Sequence, residues 1–253
     1  MKTLRMIGQL LYKSYIGLLF VLFAIVLQPA ILICLRFPKL HTIAHAIFVF
    51  WSFTYCTLCG WFIRVKGREH LKSNTAYTIV ANHSSFLDIF LLPMLFARNK
   101  HVFLGKSEIL SYPLIRLYFK NYHIPVFRGN KIKAARSIVN AGKKLENGWS
   151  IVIFPEGGID DLPKPHLSPF KNGAFQLAKT LNSPILPITF KNNFVHLDEP
   201  ITLRSTARPG IIHITIHPVI STQEVEESTL TELKNRCYEE IHMELMGIPA
   251  EKL

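Results

Sequence analysis

The sequence predicts an α/β domain with a mostly parallel central sheet flanked by helices, preceded by an N-terminal two-helix membrane hairpin. Two observations support this prediction. The chain opens with two long uncharged stretches, residues 15–35 and 42–63. From about Val65 onward, short β-branched runs alternate with amphipathic stretches. Strands that alternate with helices in this way are typical of an α/β domain with a parallel sheet.

The two uncharged stretches each come close to the ~20 residues that a helix needs to cross the hydrocarbon core of a bilayer. The short segment RFPKLH, residues 36–41, joins them, which predicts an antiparallel membrane-embedded hairpin over residues 1–63. Basic residues lie before the hairpin, at its turn and after it, so their distribution leaves two alternatives open. The hairpin either spans the bilayer or lies in one leaflet. In both cases we expect residues 64–253 on the cytoplasmic face of the cell membrane.

Within residues 64–253, six apolar runs predict strands, at residues 76–81, 101–104, 124–127, 150–154, 184–190 and 211–217. Helices are predicted between them, at residues 107–119, 131–146 and 173–181. A last helix is expected to begin at Ser221, which forms a capping-box pattern with Glu224, and to run to about Leu245. In sheets of this kind, ligands bind at the carboxyl ends of the strands.

The charge balance indicates an anionic partner. Lys and Arg number 29 against 17 Asp and Glu, which gives a net charge of +12. The sequence has no aromatic platform or reading helix of the kind that nucleic-acid binders use, so we expect anionic membrane lipids and no nucleic acid. Cys56 and Cys59 have the spacing of half a zinc site, but no second pair follows, and we expect no metal.

The segment NHSSFLD, residues 82–88, follows the first predicted strand of this domain and carries a histidine and an aspartate. If a helix begins near residue 84, Asp88 returns close to the ring of His83 and raises its basicity. Ser84 or Ser85 is then expected to cap the helix. No G-x-S-x-G elbow is present, so a substrate hydroxyl is the expected nucleophile. Taken alone, this spacing is a weak indication of catalysis, because a single histidine near an apolar strand is more often structural.

Three other predicted strands also end in polar residues. Lys106 follows the second strand, Arg128 follows the third, and Glu156 lies in FPEGG after the fourth. The two glycines permit close approach of the backbone to a ligand. Because the carboxyl ends of parallel strands meet at one edge of a sheet, these residues are expected to converge with His83 there.

Six segments resemble the glycerophospholipid acyltransferase family, which includes the 1-acyl-sn-glycerol-3-phosphate acyltransferases. They are NHSSFLD, LGKSEI, IPVFRG, FPEGG, FKNGAF and ILPITF, in the order and approximate spacing of that family. The resemblance covers residues 65–216. It implies that residues 64–253 are a catalytic domain. It also implies transfer of a fatty acyl chain from acyl-CoA or acyl-carrier protein to a lysophospholipid hydroxyl, with 1-acyl-sn-glycerol-3-phosphate as the expected acceptor and phosphatidic acid as the product.

The resemblance also implies roles for individual residues. His83 would be the base and Asp88 would orient it, with no cofactor beyond the acyl thioester. Lys106 and Arg128 would bind the acceptor phosphate. The remaining motif residues are expected to position the glycerol backbone (Glu156, Gly157), to contribute to acyl-donor binding (Pro187) and to flank the site (Asn82, Ser85, Pro155, Gly158).

One segment departs from the family pattern. Where the family often continues with Thr, Arg and Ser after Pro-Glu-Gly, this chain has Gly158-Ile159-Asp160-Asp161. Two acids in place of a basic residue weaken one expected phosphate contact, so another lysophospholipid or a lyso-aminolipid stays open as the acceptor. Two further alternatives are a membrane-anchored lipid hydrolase that uses Ser84 or Ser85, and a non-catalytic lipid-binding protein.

Overall fold

A computed structural model describes residues 2–198 and 205–247. Within these residues, seven strands form one sheet in the order β1-β7-β6-β2-β5-β3-β4. The strands are β1 (Trp61–Lys66), β2 (Thr78–Ala81), β3 (His101–Lys106), β4 (Ile124–Val126), β5 (Ser150–Ile153), β6 (Ile185–Phe190) and β7 (Gly210–Ile216). Strands β2 to β6 run parallel, whereas β7 is antiparallel to β6 and parallel to β1. The predicted fold class, a mostly parallel α/β sheet, is confirmed.

The helices lie between and around these strands. They are α1 (Lys2–Arg36), α2 (His41–Leu58), α3 (Leu87–Leu95), α4 (Pro113–Asn121), α5 (Lys131–Glu146), α6 (Gly173–Thr180), α7 (Asn193–His196), α8 (Thr222–Glu227) and α9 (Leu230–Met246). Helix α5 packs on β4 and β5, α6 packs on β2, and α9 packs on β6.

Two predicted helices are divided in the structure. The segment predicted as one helix over residues 107–119 is a 3-10 turn, Ser107–Ser111, followed by α4. Pro113 begins α4 because proline has no N–H to donate and suits the first helical position. The C-terminal helix breaks at Ser228, and Thr229 starts α9 with a second capping box that it forms with Glu232.

The second uncharged stretch is also divided, which corrects the prediction of a helix over residues 42–63. Helix α2 ends at Leu58, and β1 begins at Trp61. Gly60 lies between them with a φ of +71°, a left-handed conformation that glycine adopts without a steric penalty. The Trp61 indole N–H donates to the carbonyl of Arg208 at 3.0 Å and fixes the start of the strand.

Helix α2 connects α1 to the α/β domain. Tyr55 of α2 donates to the carbonyl of Ile16 in α1 at 3.0 Å, and Ser52 of α2 donates to the carbonyl of Phe90 in α3. By length and composition, one helix in the described part of the chain, Met6–Arg36 within α1, could cross a membrane. The division of the chain into segments 1–63 and 64–253 stays a prediction. Residue 1 of the first segment and residues 248–253 of the second lie outside the described residues.

The centre of the sheet is fully buried, and this burial positions the site. Strands β2, β5 and β6 bury every residue, as expected for strands covered by helices on both faces. Ile79, Val152 and Leu186 form adjacent positions of this core. The polar residues that follow these strands therefore emerge directly from a rigid, close-packed interior.

Candidate active site

The strand order brings the predicted polar residues to one edge of the sheet. The carboxyl ends of β2, β5, β3 and β4 are neighbours in that order. His83, Glu156 and Arg128 follow β2, β5 and β4, respectively, and Lys106 is the last residue of β3. His83, Lys106 and Arg128 line the same large cavity. The sequence-based expectation that these strand ends converge therefore agrees with the topology.

Asn82 fixes the point at which the loop between β2 and α3, residues 82–86, leaves the sheet. Its side-chain amide donates to the carbonyl of Phe190 at 3.0 Å, and its side-chain oxygen accepts from the Phe190 N–H at 2.8 Å. This paired contact extends the pairing of β2 with β6 by one residue. Because Asn82 is fully buried, the direction in which His83 leaves the strand is held by the core.

Asp88, in the first turn of α3, organises the loop around its carboxylate. Oδ2 accepts hydrogen bonds from His83 Nδ1 at 2.9 Å, from the Ser84 N–H at 2.8 Å and from the Ser85 N–H at 3.0 Å. Oδ1 accepts from the Asn193 side-chain amide at 2.5 Å. Asp88 is fully buried, so all of these bonds are shielded from water. A carboxylate in the first turn is also favoured by the helix dipole.

The tautomer of His83 follows from this contact. An ionised carboxylate only accepts hydrogen bonds, so Nδ1 carries the proton and Nε2 keeps its lone pair. The ring stacks on Phe154 with 4.0 Å between centroids and 14° between planes. Its side chain is 12% exposed and lines the cavity. Nε2 is therefore an oriented base for a group that enters this cavity.

The two serines of the loop occupy other positions than the predicted caps. Helix α3 begins at Leu87, and its N-cap residue is Phe86, whose side chain forms no capping bond. The Ser85 hydroxyl accepts from the Leu87 N–H at 3.0 Å and donates to the carbonyl of Leu197. The Ser84 hydroxyl is buried and has no hydrogen-bond partner among the described residues. Neither hydroxyl is activated by a base, which argues against a serine hydrolase.

Glu156 holds the backbone of His83. Its Oε1 accepts from the His83 N–H at 2.7 Å, and its Oε2 accepts from the Ser168 N–H at 2.8 Å. Burial raises the pKa of Glu156 above its ordinary value, although the two N–H donors and the His83 ring act in the opposite direction. These contacts make Glu156 a positioning residue for the loop. Its expected role toward the glycerol backbone stays a prediction.

The two glycines that follow Glu156 make room for a pair of lysines. Gly157 has a φ of +88° and Gly158 a φ of +154°. A Cβ at Gly157 would lie 2.7 Å from Lys171 Nζ and 3.5 Å from Lys106 Cε. The Lys171 N–H donates to the carbonyl of Pro155 at 3.0 Å, which holds this lysine beside the loop. Two ammonium groups thus meet at a stretch of backbone that bears no side chains.

Sequence reasoning did not single out Lys171 or Asn193. Lys171 lies in FKNGAF, a segment quoted for the resemblance, so its place in that motif was an available signal. Asn193 starts the short helix α7 after β6, and nothing local to it indicates a contact with Asp88. That contact joins residues 105 positions apart and exists only because α7 and α3 meet over the sheet edge.

In the acidic segment that departs from the family pattern, the carboxylate of Asp160 is paired with residues of its own loop. Asp160 accepts from the Ser168 hydroxyl at 2.5 Å and lies 3.5 Å from His166 Nε2. Asp161 also lines the cavity. The basic residues that line it are more numerous: Lys106, Arg128, Lys164, Lys171 and Arg208. The rim therefore keeps an excess of positive charge, although Lys164 is paired with Asp198 at 3.3 Å.

The cavity below this rim has a volume of about 1930 Å³. It extends from His83 and the Gly157 loop into an apolar region between α1, α2, α3 and α4. Aromatic side chains form much of its wall, among them Phe20, Phe48, Phe90, Phe103 and Tyr118. Typical small-molecule pockets measure ~300–1,000 Å³, so this cavity has room for more than one ligand or for a long lipid chain.

Pro187 lies within the sheet. It is buried in β6, opposite Val80 of β2, and its carbonyl accepts from the His217 N–H at 3.0 Å. Its expected contribution to acyl-donor binding stays a prediction.

The acyltransferase family model matches residues 62–191, just over half of the chain. The chain belongs to the acyltransferase family. The resemblance to the glycerophospholipid acyltransferases found in the sequence motifs is thereby confirmed. The matched segment includes His83, Asp88, Gly157, Lys106 and Lys171.

Individual relatives support the assignment. The protein is 31% identical over 182 residues to a 1-acyl-sn-glycerol-3-phosphate acyltransferase of Cocos nucifera, covering 71% of this chain and 55% of the relative. It is 34% identical over 128 residues to one of Limnanthes douglasii, covering 50% and 44%. It is also 30% identical over 149 residues to a lyso-ornithine lipid O-acyltransferase of Rhizobium meliloti, covering 57% and 48%. The chain thus spans about half the length of these curated relatives.

The fold has a solved counterpart. The crystal structure of the 1-acyl-sn-glycerophosphate (LPA) acyltransferase PlsC from Thermotoga maritima superimposes with a TM-score of 0.76. The comparison covers 99% of this chain and 98% of that chain, at 21% sequence identity. At this identity the likeness concerns the fold alone.

Proposed function

We propose that this protein is a membrane-associated O-acyltransferase. It moves a fatty acyl chain from acyl-CoA or acyl-carrier protein to the free hydroxyl of a lysophospholipid, with 1-acyl-sn-glycerol-3-phosphate as the acceptor and phosphatidic acid as the product. The observation that carries this proposal is the Asp88–His83 pair, whose free ring nitrogen belongs to a lipid-sized cavity with a cationic rim.

His83 acts as the general base of the transfer. The acceptor hydroxyl gives its proton to Nε2 as its oxygen attacks the thioester carbonyl carbon. Asp88, 2.9 Å from Nδ1, stabilises the imidazolium that forms. When the tetrahedral intermediate collapses, the carbon–sulfur bond breaks and the imidazolium returns the proton to the departing sulfur. No acyl-enzyme is formed, which agrees with the two unactivated serines of the loop.

The rim lysines and Arg128 receive the acceptor phosphate. Lys106 and Lys171 meet at the Gly157 loop, and Arg128 follows the neighbouring strand β4. Charge-assisted hydrogen bonds from such groups to phosphate oxygens are roughly twice as strong as neutral ones. Lys171 therefore supplies a positive charge in place of the basic residue that the family often has after Pro-Glu-Gly and that this chain lacks.

The apolar part of the cavity receives the acyl chain, which places the thioester carbon near His83. Docking onto a membrane then delivers both lipid substrates. Helix α1 exposes a series of large apolar side chains, among them Leu10, Leu18, Leu22, Ile25 and Ile33. Apolar patches larger than a few hundred Å² mark interaction or membrane surfaces. The net charge of +12 favours anionic lipids at the same surface.

A lyso-aminolipid is a second candidate acceptor. Asp160 and Asp161 line the cavity beside the Gly157 loop, and carboxylates there favour a cationic headgroup. One relative is a lyso-ornithine lipid O-acyltransferase. The larger number of basic residues on the same rim makes the phosphate acceptor the first choice.

An assay that crosses two donors with three acceptors tests the proposal. The donors are palmitoyl-CoA and palmitoyl-acyl-carrier protein, and the acceptors are 1-oleoyl-glycerol-3-phosphate, lysophosphatidylethanolamine and lyso-ornithine lipid. The protein is purified in detergent and diluted into mixed vesicles, with the His83→Ala variant as the blank. We expect His83-dependent phosphatidic acid. Turnover confined to lyso-ornithine lipid would select the second candidate, and no turnover with any pair would leave a lipid-binding protein.

A further inference from the structure

The cavity continues around the carboxyl edge of the sheet onto its second face. Successive side chains of a strand point to opposite faces, so Phe103 and Gly105 of β3 share one face, and Leu104 and Lys106 share the other. A Cβ at Gly105 would lie 2.8 Å from the Phe119 ring of α4, so the first face is the one that α4 covers. All four strand residues line the cavity. The cavity therefore has a branch on the face that α4 does not cover.

The chain topology places α5 and α6 on this second face. The connection from β2 through α3 to β3 crosses the sheet in one direction. Those from β4 through α5 to β5 and from β5 through α6 to β6 cross it in the other. Connections between parallel strands are almost always right-handed, so opposite directions put the helices on opposite faces. Helix α2 packs on α3, and α1 packs on α4. The branch is therefore remote from α1, the helix that could cross a membrane.

Helices α5 and α6 form the walls of this branch, which we call the α5–α6 groove. At their carboxyl ends the two helices meet, since a Cβ at Gly142 would lie 3.2 Å from Cδ2 of Leu181, the C-cap residue of α6. Closer to the sheet edge, the cavity lies between them. Its walls there are Ala134, Ser137 and Ile138 of α5 and Ala174, Gln176 and Leu177 of α6. Gln176 is exposed, so the groove is open to water.

The groove is bordered by positive charge. Residues 109–145 include eight Lys and Arg and no Asp or Glu. Lys131 lies seven residues before Ile138 and eleven before Gly142, so it is on the side of α5 that faces α6. It is exposed and takes part in none of the ion pairs within residues 2–198 and 205–247. An anionic group at the outer end of the groove would pair with it.

The position and shape of the groove restrict the ligand that fits it. A lipid that arrives from a membrane enters beside α1, on the other face of the sheet, so a ligand of the groove comes from water. It must be elongated, because the groove runs between two helices, and it must reach His83, because groove and acyl pocket are one cavity. A 4′-phosphopantetheine arm has these properties, since it is a thin chain with the thioester sulfur at one end and a phosphate at the other.

We propose that the α5–α6 groove binds the 4′-phosphopantetheine arm of the acyl donor, with its phosphate paired to Lys131. The proposal rests on the proposed function and assigns the two halves of the donor to opposite faces of the sheet. The acyl chain lies in the apolar pocket between α1, α2, α3 and α4, and the thioester lies at the sheet edge next to His83. The arm leaves on the other face. Acyl-CoA and acyl-carrier protein both carry this arm, so they present the same chemistry to the groove.

Binding of a donor analogue is measured without turnover. The analogues are the hexadecyl thioethers of CoA and of the carrier protein, which cannot transfer their chain, and isothermal titration calorimetry in detergent gives the affinity. We expect Lys131→Met to weaken each analogue that the wild-type protein binds by about tenfold, because a charge-assisted pair with the phosphate is lost. Lys133→Met is the matched control, since this exposed lysine lies over the Phe127 ring at 5.1 Å, and its affinity should stay unchanged. Equal affinities of the two variants, or no binding by wild type, would overturn the proposal.

Cysteine labelling locates the arm. The four native cysteines are buried, so a maleimide probe reports on one introduced cysteine. Gln176→Cys is placed in the groove, and Thr180→Cys is placed one turn further along α6, at an exposed position that does not line the cavity. At ten times its Kd, the CoA thioether should slow labelling of Gln176→Cys about tenfold and leave Thr180→Cys unchanged. Lipid vesicles alone should protect neither. Protection by vesicles alone, or equal labelling with and without the analogue, would contradict the proposal.

Turnover separates this proposal from the proposed function. Lys131→Met should raise the KM for the donor about tenfold and leave the KM for 1-oleoyl-glycerol-3-phosphate and the melting temperature unchanged. Arms with palmitoyl-CoA and with palmitoyl-acyl-carrier protein identify which carrier delivers the arm. Turnover with an unchanged donor KM in Lys131→Met overturns the assignment of the groove and leaves the proposed function intact. Analogue binding that depends on Lys131, without turnover of any donor, retains the groove and removes the proposed function.

Discussion

The substitution Asp88→Asn removes the charge of the carboxylate that accepts the hydrogen bonds of the loop between β2 and α3. Oδ2 receives three N–H donors, including His83 Nδ1, so the new amide nitrogen must take the place of Oδ1. There it faces the Asn193 amide, whose own oxygen has no partner in the described part of the chain. A flip of the Asn193 side chain restores this bond. The variant therefore keeps its hydrogen-bond pattern and loses the charge.

The magnitudes follow from that difference. General base catalysis accelerates a reaction by a factor of ~10²–10⁴. Asp88→Asn removes the negative charge that stabilises the imidazolium formed in this step. We expect kcat to fall by about 10² to 10⁴, which corresponds to about 3–5 kcal/mol in the activation free energy. Three buried bonds to Oδ2 also lose charge assistance, so the free energy of unfolding should fall by about 1–3 kcal/mol. The acceptor KM should stay nearly constant, because Asp88 is buried behind His83.

Steady-state transfer to 1-oleoyl-glycerol-3-phosphate and urea unfolding measure both effects. Asn193→Ala is the matched control, since it removes one bond to Oδ1 and leaves the His83–Asp88 contact in place. It should lose a similar amount of stability and less than about tenfold in kcat. The reasoning would be refuted if Asp88→Asn kept kcat within about threefold of wild type, or if both variants lost rate equally.

Three further outcomes follow from the site and its surroundings. Gly157→Ala should raise the KM for the acceptor and lower the melting temperature. The backbone φ of +88° is strained for any residue with a Cβ, and this Cβ would lie 2.7 Å from Lys171 Nζ. An unchanged KM would contradict this prediction. Lys171→Met and Lys106→Met should each raise the KM for the phosphate acceptor about tenfold or more, whereas Lys191→Met, in a surface pair with Glu244, should not. Burial, aided by the nearby Lys100, lowers the pKa of Lys144 to about 8 from 10.5. The unfolded chain then binds this proton more tightly, so Lys144 adds stability as the pH rises between those values. Lys144→Met should flatten the rise in melting temperature over that range, and an identical pH profile would refute it.

The sequence was informative wherever a local pattern determined the outcome. Alternation of strands and helices predicted the parallel sheet, and the polar residues after β2, β3, β4 and β5 predicted a common edge. The five-residue spacing predicted that Asp88 returns to His83, and the two are 2.9 Å apart. Periodicity and spacing are properties of a short segment, so they can be recognised without knowledge of the tertiary structure.

The remaining features depend on contacts between distant segments. The second apolar stretch looked like a single helix because its composition is uniform, yet pairing of Trp61 with Gly210 in β7 draws its last residues into the sheet. Asn193 reaches Asp88, and Lys171 reaches Gly157, only after the sheet has assembled.

The most direct test of the account concerns Nε2 of His83. Wild-type protein and His83→Ala are compared for acyl transfer from palmitoyl-CoA to 1-oleoyl-glycerol-3-phosphate in mixed vesicles, with unfolding midpoint and vesicle binding measured on the same preparations. The ring contacts Phe154 and Asp88 but carries none of the backbone bonds that hold the loop, so folding and membrane binding should persist. The account predicts a fall of about 10³-fold or more in kcat with both controls preserved. Undiminished transfer by His83→Ala would contradict it.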